Sequence, residues 1–185
     1  IKLKGEGSVY LSFFEAKIGV LNPTLKDIKS RWPLYTSEEK VEGGAAKFSF
    51  PVGGAKLWSA EEPNLYLIAI SIRDKDGNVV ESIVDFVGLR RFEMKDGIMC
   101  LNGKRIVFKG TNRHEFSSVR GRVPDYNELV TDIATMKKSN INAIRTSHYP
   151  NCSSIYTDGI YEPGIYKLCD IYGLYMIAEN NLIID

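Results

Sequence analysis

The stretch Lys109-Gly110-Thr111-Asn112-Arg113-His114-Glu115 directly follows an apolar run, Ile106-Val107-Phe108. A short apolar strand is followed here by Asn, Arg, His and Glu, whose charged and hydrogen-bonding groups would be costly to bury in a hydrophobic core. Residues before this point have the pattern of an all-β module, and residues after it alternate between strand and helix. The sequence therefore predicts a change of architecture here, with a candidate site where the second architecture begins.

The first part of the chain, up to about residue 105, shows antiparallel β patterns. Val9–Phe14 is apolar and β-rich, and Lys47–Val52 alternates polar and apolar residues, so both are predicted strands. The polar stretch 22–44 between them contains two prolines and a Gly-Gly pair and is predicted to be loop. Asp74–Asn78 joins two further β-rich runs, 65–73 and 79–84, and its Asp-Gly pair predicts a hairpin. Four or five such strands indicate an antiparallel sandwich that lacks its opening strands.

The second part has the pattern of a parallel sheet covered by helices. Asp125 and Glu128 form a capping-box pattern before an apolar helical stripe, and Lys137-Lys138 suits the end of that helix. A second helix spans 165–172 and is expected to stop at Gly173. Three apolar strands are predicted, at Ile106–Lys109, Ile141–Thr146 and Leu174–Ala178.

Polar residues follow all three of these strands. The first strand leads into Asn112, Arg113, His114 and Glu115, the second into Arg145, Ser147 and His148, and the third into Glu179, Asn180 and Asn181. In a (β/α) barrel the active site is assembled at the carboxyl ends of several strands. Both histidines of the chain lie at such ends, each near an arginine. Their side chains suit a polyhydroxylated ligand or a developing oxyanion.

Spacing alone names no reaction for this site. Ser147 and His148 are adjacent in sequence, which does not make a Ser-His pair, and no third orienting group can be assigned. Glu115 and Glu179 cannot be assigned as a carboxylate pair for glycoside cleavage.

Bulk composition excludes several classes of partner. The 24 basic and 23 acidic residues give a formal net charge of +1, which offers no attraction to nucleic acid or an anionic membrane. No apolar run approaches the length of a membrane span. Cys100, Cys152 and Cys169 form no metal-ligand or disulfide pattern, which suits a reducing, cytoplasmic setting. Trp58 is expected to be a packing residue.

Several motifs together resemble the bacterial β-galactosidases of glycoside hydrolase family 2. They occur in the family's order, over roughly residues 50 to 182: Leu57–Tyr66 (LWSAEEPNLY), Asn102–Lys104 (NGK), Gly110–Glu115 (GTNRHE), Asn142–Arg145 (NAIR), Ser147–Asn151 (SHYPN), Leu168–Asp170 (LCD) and Tyr172–Tyr175 (YGLY). The resemblance implies an incomplete immunoglobulin-like β-sandwich over 1–90, a connecting hairpin over 91–105, and the first three strands and two helices of a TIM barrel over 106–185. The chain is thus expected to be a fragment of a longer enzyme.

The resemblance also implies a retaining hydrolase that cleaves terminal β-D-galactose from β-galactosides. By that resemblance His114, His148 and Arg145 bind galactose and support the transition state, and Asn112 joins them in the pocket. The family's acid/base and nucleophile glutamates lie on later strands, beyond residue 185, so the chain alone is expected to be inactive. Glu179 takes neither role.

The family's third strand is followed by a segment that supplies a magnesium ligand and another histidine. Here Asn181-Leu182 leads into Ile183-Ile184-Asp185, which counts against magnesium in this chain, although the resemblance implies it for the whole enzyme. Residues 152–164 form an insertion at the pocket rim, which either alters substrate access or is neutral. The whole enzyme is expected to be a homo-oligomer. Open alternatives are a non-catalytic carbohydrate-binding module, a complementing subunit of a split enzyme, and another family 2 activity such as β-glucuronidase or β-mannosidase.

Overall fold

The computed structural model describes residues 6–16, 23–149, 154–157 and 160–179. The chain forms two compact units. The first contains residues 1–56 and 65–89, and the second contains residues 57–64 and 90–185. The insertion predicted at 152–164 and the segment 180–185 lie wholly or partly outside the described residues. None of the helices in the described ranges is long and apolar enough to cross a membrane.

The first unit is built on a four-stranded antiparallel sheet in the order β2-β1-β3-β4. Its elements are β1 (Ser8–Glu15), α1 (Leu25–Ile28), β2 (Tyr35–Lys40), β3 (Tyr66–Arg73) and β4 (Val79–Val87). Alternation along β1 sends Leu11 and Phe13 into one apolar cluster and Phe14 into another. The sheet therefore carries an apolar cluster on each face. The predicted hairpin is confirmed: Oδ1 of Asp74 accepts hydrogen bonds from the backbone N–H groups of Asp76 and Asn78.

Two predictions for this unit were wrong. The stretch 22–44 contains α1 and β2 rather than loop alone, because Thr24 and Asp27 form a capping box and because β2 is a polar edge strand without apolar alternation. Residues 47–52 form no strand. Their aromatic rings pack instead, with Phe50 stacked on Tyr35 at a ring-centroid distance of 4.0 Å, so the alternating pattern reflects side-chain burial without a hydrogen-bonded ladder.

The second unit begins with an antiparallel sheet and continues as a parallel one. β5 (Phe92–Lys95), β6 (Ile98–Leu101) and β7 (Lys104–Arg105) pair through tight turns. β8 (Gly110–Arg113), β9 (Ala143–Thr146) and β12 (Tyr175–Ile177) form a parallel sheet in the order β12-β9-β8. Helix α2 (Tyr126–Lys138) connects β8 to β9, and helix α3 (Ile165–Tyr172) precedes β12. A hairpin of β10 (Ser154–Thr157) and β11 (Ile160–Pro163) lies between β9 and α3.

The predicted first barrel strand, Ile106–Lys109, was misplaced, because the observed strand is β8. The side chain of Asn142 explains the difference. Its Oδ1 accepts a hydrogen bond from the Lys109 N–H at 2.8 Å, and its Nδ2 donates to the Val107 carbonyl at 3.0 Å. These bonds satisfy the backbone before Gly110 without a strand ladder, and pairing with β9 begins only at Gly110.

The helix signals were confirmed. Asp125 caps α2 by accepting from the Glu128 N–H, and the Glu128 carboxylate accepts in return from the Asp125 N–H, both at 2.8 Å. Gly173 ends α3 at φ +78°. The two helices enclose a core of seven buried residues, Leu129, Ile133, Ile144, Ile165, Leu168, Cys169 and Leu174. Burial in this core raises the pKa of the Cys169 thiol to about 12, which fits an inert packing residue.

The segment 57–64 belongs to the second unit although it precedes most of it in sequence. Trp58 is 2% exposed, which confirms it as a packing residue, and its indole N–H donates to the Asp170 carbonyl at 2.7 Å. Lys137 Nζ donates to the carbonyls of Ala60 at 2.8 Å and Gly173 at 2.9 Å. Hydrogen bonds therefore join segment 57–64 to both of the helices that cover the parallel sheet.

Candidate substrate-binding site

The carboxyl ends of β8, β9 and β12 bring polar side chains into one cluster. Asn112 and Arg145 are opposite each other in the β8–β9 register. Arg145 Nη1 donates to Asn112 Oδ1 at 3.1 Å and lies 3.4 Å from Ser147 Oγ. The parallel pairing alone sets this contact, because partners in register project from the same face of the sheet.

Glu179, two residues past the end of β12, joins the cluster from the third strand. Its Oε1 lies 2.5 Å from His148 Nδ1, and its Oε2 lies against the Arg145 guanidinium. The Glu179 backbone N–H donates to Thr146 Oγ1 at 2.9 Å. A single carboxylate thus connects Arg145, in β9, with His148, which follows that strand.

The two histidines of the chain meet edge to face. The ring centroids of His114 and His148 are 5.8 Å apart, with an interplanar angle of 67°. The His148 side chain is 64% exposed, and Asn112 and His114 are also exposed. The cluster is therefore open to a ligand.

The Glu179 carboxylate is stabilised in its ionised form. The hydrogen bond from His148 contributes most, and the positive charge of Arg145 adds to it. Together they hold the pKa of Glu179 below its usual range, against an opposing effect of partial desolvation. Glu179 consequently remains an acceptor at neutral pH.

Arg113 is adjacent to Asn112 but lies on the other face of β8. Its side chain is only 5% exposed and donates to Asp132 of α2 at 2.8 and 3.0 Å. Nη1 also donates to Glu115 at 2.8 Å and to the Tyr149 hydroxyl at 3.0 Å. Burial alone would lower the pKa of Arg113, but these hydrogen bonds outweigh it and raise that pKa further. Arg113 and Glu115 are therefore part of the scaffold.

The four residues predicted from sequence, His114, His148, Arg145 and Asn112, are brought together by the structure. The sequence places Glu179 at a strand end but predicts no role for it in the site; its position after the third strand is the signal that points to it. Nothing in the sequence separated Glu179 from Glu115. The structure does so, because one carboxylate contacts the histidine and the other contacts the buried arginine.

The cluster offers hydrogen-bond donors from Arg145 and Asn112 and both kinds of group from the imidazoles, a combination that fits sugar hydroxyls. In the described ranges, no group of three or more His, Cys, Asp or Glu side chains is arranged so that it could hold a metal ion. The segment that bears on magnesium, 181–185, lies outside those ranges.

An antiparallel domain followed by parallel strands with polar side chains at their carboxyl ends defines the class of (β/α)-barrel proteins that carry an accessory β domain. The chain belongs to the glycosyl hydrolases family 2. The model of that family matches residues 14–90, and the model of its TIM barrel domain matches residues 92–184. The parallel sheet is thus the start of a TIM barrel.

Two curated relatives and one solved structure show the range of similarity. The chain is 54% identical over 126 residues to a β-galactosidase of Clostridium acetobutylicum, with 68% of the chain and 13% of the relative covered. It is 52% identical over 183 residues to a β-galactosidase of Streptococcus thermophilus, with 91% and 17% covered. A β-glucuronidase of Bifidobacterium dentium, solved with coumarin-3-O-glucuronide, aligns with a TM-score of 0.73 and 25% identity over 96% of the chain and 25% of that protein. The chain therefore spans less than a fifth of the curated relatives named here.

Proposed function

We propose that the cluster at the ends of β8, β9 and β12 binds the galactosyl unit of a β-galactoside, and that the parent reaction is hydrolysis of terminal β-D-galactose with retention. The observation that carries this proposal is the convergence of His114, His148, Arg145 and Asn112 from two strands onto one open surface. Identities above 50% to two β-galactosidases support the choice of sugar.

The charge of the cluster supports a neutral sugar over a uronic acid. A glucuronide carries a carboxylate, which needs an uncompensated cation or several N–H donors. Arg145 is paired with Glu179, so its charge is balanced within the cluster. A β-glucuronidase activity is the second candidate because of the similar fold, but the aligned β-glucuronidase is only 25% identical.

The chain by itself is proposed to bind sugar without turning it over. Retaining hydrolysis needs two carboxyl groups about 5 Å apart, one of which has a raised pKa so that it can donate a proton. The pKa of Glu179 is lowered, and Glu115 is committed to the buried Arg113. Neither carboxylate suits the acid role. A non-catalytic carbohydrate-binding module or a complementing subunit of a split enzyme is the alternative that the same observation allows.

The binding proposal is tested by titrating the 185-residue chain with galactose, glucose and glucuronic acid while amide NMR spectra are recorded. We expect galactose to shift resonances of residues at the ends of the three parallel strands, and to do so at lower concentration than the other two sugars. His148→Ala should abolish the shifts, whereas Lys75→Ala, in the exposed β3–β4 turn of the first unit, should leave them unchanged.

A chromogenic β-galactoside should stay unhydrolysed by the same preparation. Equal shifts with all three sugars, or shifts confined to the first unit, would contradict a galactose site. Turnover above buffer that is lost in His148→Ala would contradict the proposed inactivity of the isolated chain.

The resemblance and the cysteine pattern also support proposals about the longer protein, namely an immunoglobulin-like topology for the first domain, a cytoplasmic location, a homo-oligomeric assembly and magnesium binding outside the described residues. Fractionation, sedimentation and metal analysis of that protein are the corresponding tests.

A further inference from the structure

Glu179 is held in place by more than its own side chain. It lies two residues past the end of β12, and its backbone N–H donates to Thr146 Oγ1, a hydroxyl whose residue is fully buried at the end of β9. The Glu179 backbone is thus fixed by two neighbouring strands, independently of the exposed histidine that its carboxylate meets. A carboxylate placed in this way can orient its partners.

We propose that Glu179 is a positioning residue: it holds His148 in the tautomer with the proton on Nδ1 and fixes Arg145 beside it, so that Nε2 of His148 meets the ligand as a hydrogen-bond acceptor. That the ligand is a galactoside rests on the function proposed above. The tautomer itself follows from the contacts of this chain alone.

For a neutral His148, the chemistry of the pair requires this tautomer. An ionised carboxylate only accepts hydrogen bonds, so the 2.5 Å contact between Glu179 Oε1 and His148 Nδ1 needs a proton on Nδ1. In a neutral imidazole the other nitrogen then carries the lone pair. The environment keeps Glu179 ionised, because the hydrogen bond from His148 and the charge of Arg145 both lower its pKa.

The arrangement gives the site a defined pattern of donors and acceptors. Nε2 of His148 accepts from a hydroxyl, and the Arg145 guanidinium, oriented by Glu179 Oε2 and Asn112 Oδ1, donates to an oxygen. A sugar hydroxyl satisfies both partners because it donates and accepts. A uronate carboxylate offers no proton to Nε2 and approaches Glu179 with like charge. Glu179 therefore favours a neutral sugar at this position.

The test uses the fact that the chain contains only two histidines. Long-range ¹H–¹⁵N correlation of the ring nitrogens, at a pH where both rings are neutral, reports the tautomer of each histidine. His114→Gln assigns the two sets of signals. For the wild-type chain we expect His148 to show a protonated Nδ1 and an unprotonated Nε2 as the dominant form.

Glu179→Ala should convert His148 to a mixture dominated by the Nε2-protonated tautomer, and should weaken galactose binding about tenfold, the effect expected when a hydrogen bond to a charged group is lost. Glu61→Ala is the matched control, because Glu61 is an exposed carboxylate of the same unit. It should change neither the tautomer nor the binding.

Two results would overturn the proposal: a dominant Nε2-protonated His148 in the wild-type chain, or an unchanged tautomer in a folded Glu179→Ala variant. The wild-type measurement decides the matter even if that variant does not fold. A protonated Nδ1 without galactose binding would instead refute the proposed function and leave the positioning role of Glu179 in place.

Discussion

Replacing Gly173 by alanine should destabilise the second unit well beyond the usual cost of changing a left-handed glycine. Gly173 ends α3 at φ +78°, and a Cβ at this position would lie 2.5 Å from the Ala60 carbonyl oxygen and 3.2 Å from Pro63 Cβ. Gly103, in the β6–β7 turn, has nearly the same φ of +79° but nothing within 4 Å of its added Cβ. The two glycines therefore separate backbone strain from steric contact.

The magnitudes follow from this geometry. A left-handed alanine costs about 1 kcal/mol at either position. At Gly173 the oxygen of Ala60 is also 0.9 Å closer than the 3.4 Å at which ordinary contact begins. This oxygen also accepts a 2.8 Å hydrogen bond from Lys137 Nζ, which a shift of the Ala60 carbonyl would disturb. Overpacking of this kind costs about 2 kcal/mol. The expected losses are therefore about 1 kcal/mol for Gly103→Ala and about 3 kcal/mol for Gly173→Ala.

Urea denaturation followed by tryptophan fluorescence measures the difference. Trp32 is 95% exposed and Trp58 is 2% exposed, so a Trp32→Phe background leaves a single buried reporter within the segment that Gly173 contacts. Both glycine variants are compared in that background. Equal losses of unfolding free energy for the two variants would refute the argument that segment 57–64 is packed tightly against the end of α3.

Two further predictions concern the scaffold around the site. Arg113→Met should lower the unfolding free energy by about 3 kcal/mol, which is the low end for breaking a buried ion pair, because the Asp132 side chain is 44% exposed. An equal loss in Asp132→Asn would show that the pair Arg113–Asp132 carries the effect. A loss below about 1 kcal/mol in Arg113→Met would contradict this explanation. The stabilising contribution of the α2 capping box should be lost as the pH falls. Backbone hydrogen bonding holds the pKa of Asp125 below its ordinary value, and a hydrogen bond from Ser117 lowers the pKa of Glu128. The contribution of both carboxylates to stability is therefore fully present above their pKa values in the unfolded chain, and it is lost as the pH falls through their pKa values in the folded protein. Urea midpoints measured from pH 7 down to about 3 should therefore converge for the wild type and an Asp125→Ala variant, and a gap independent of pH would argue against this role.

The sequence predicted which polar side chains lie together better than it predicted the strands that carry them. Both histidines, Arg145 and Asn112 were identified because polar residues after apolar strands are informative in a barrel. The first strand was nevertheless placed four residues early, since Ile106–Lys109 is apolar and β-rich. Propensity could not show that the Asn142 side chain takes over the hydrogen bonds of that stretch. Such a contact joins residues more than thirty positions apart and leaves no local pattern.

The edge strand β2 was missed for a related reason. Its sequence, YTSEEK, lacks the apolar alternation that identifies a half-buried strand. It pairs with β1 through backbone hydrogen bonds, and its glutamates and lysine face solvent, as suits the edge of a sheet. Conversely, polar and apolar residues do alternate at 47–52, but the pattern arises from aromatic packing around Phe50 and not from a strand. A period-two pattern indicates alternating burial of side chains, and such burial does not always accompany a hydrogen-bonded strand.

Adjacent polar residues in the stretch Lys109–Glu115 have different roles, because β8 begins at Gly110 and its successive side chains point to opposite faces of the sheet. Asn112 faces the cluster, whereas Arg113, one residue on, faces α2 and binds Asp132. Arg113 also donates to the Tyr149 hydroxyl, next in sequence to His148. His148 is therefore positioned from two sides, through Tyr149 by the scaffold arginine and through Nδ1 by Glu179. A polar stretch at a strand end should accordingly be divided by face before roles are assigned, because half of it orients the residues that bind.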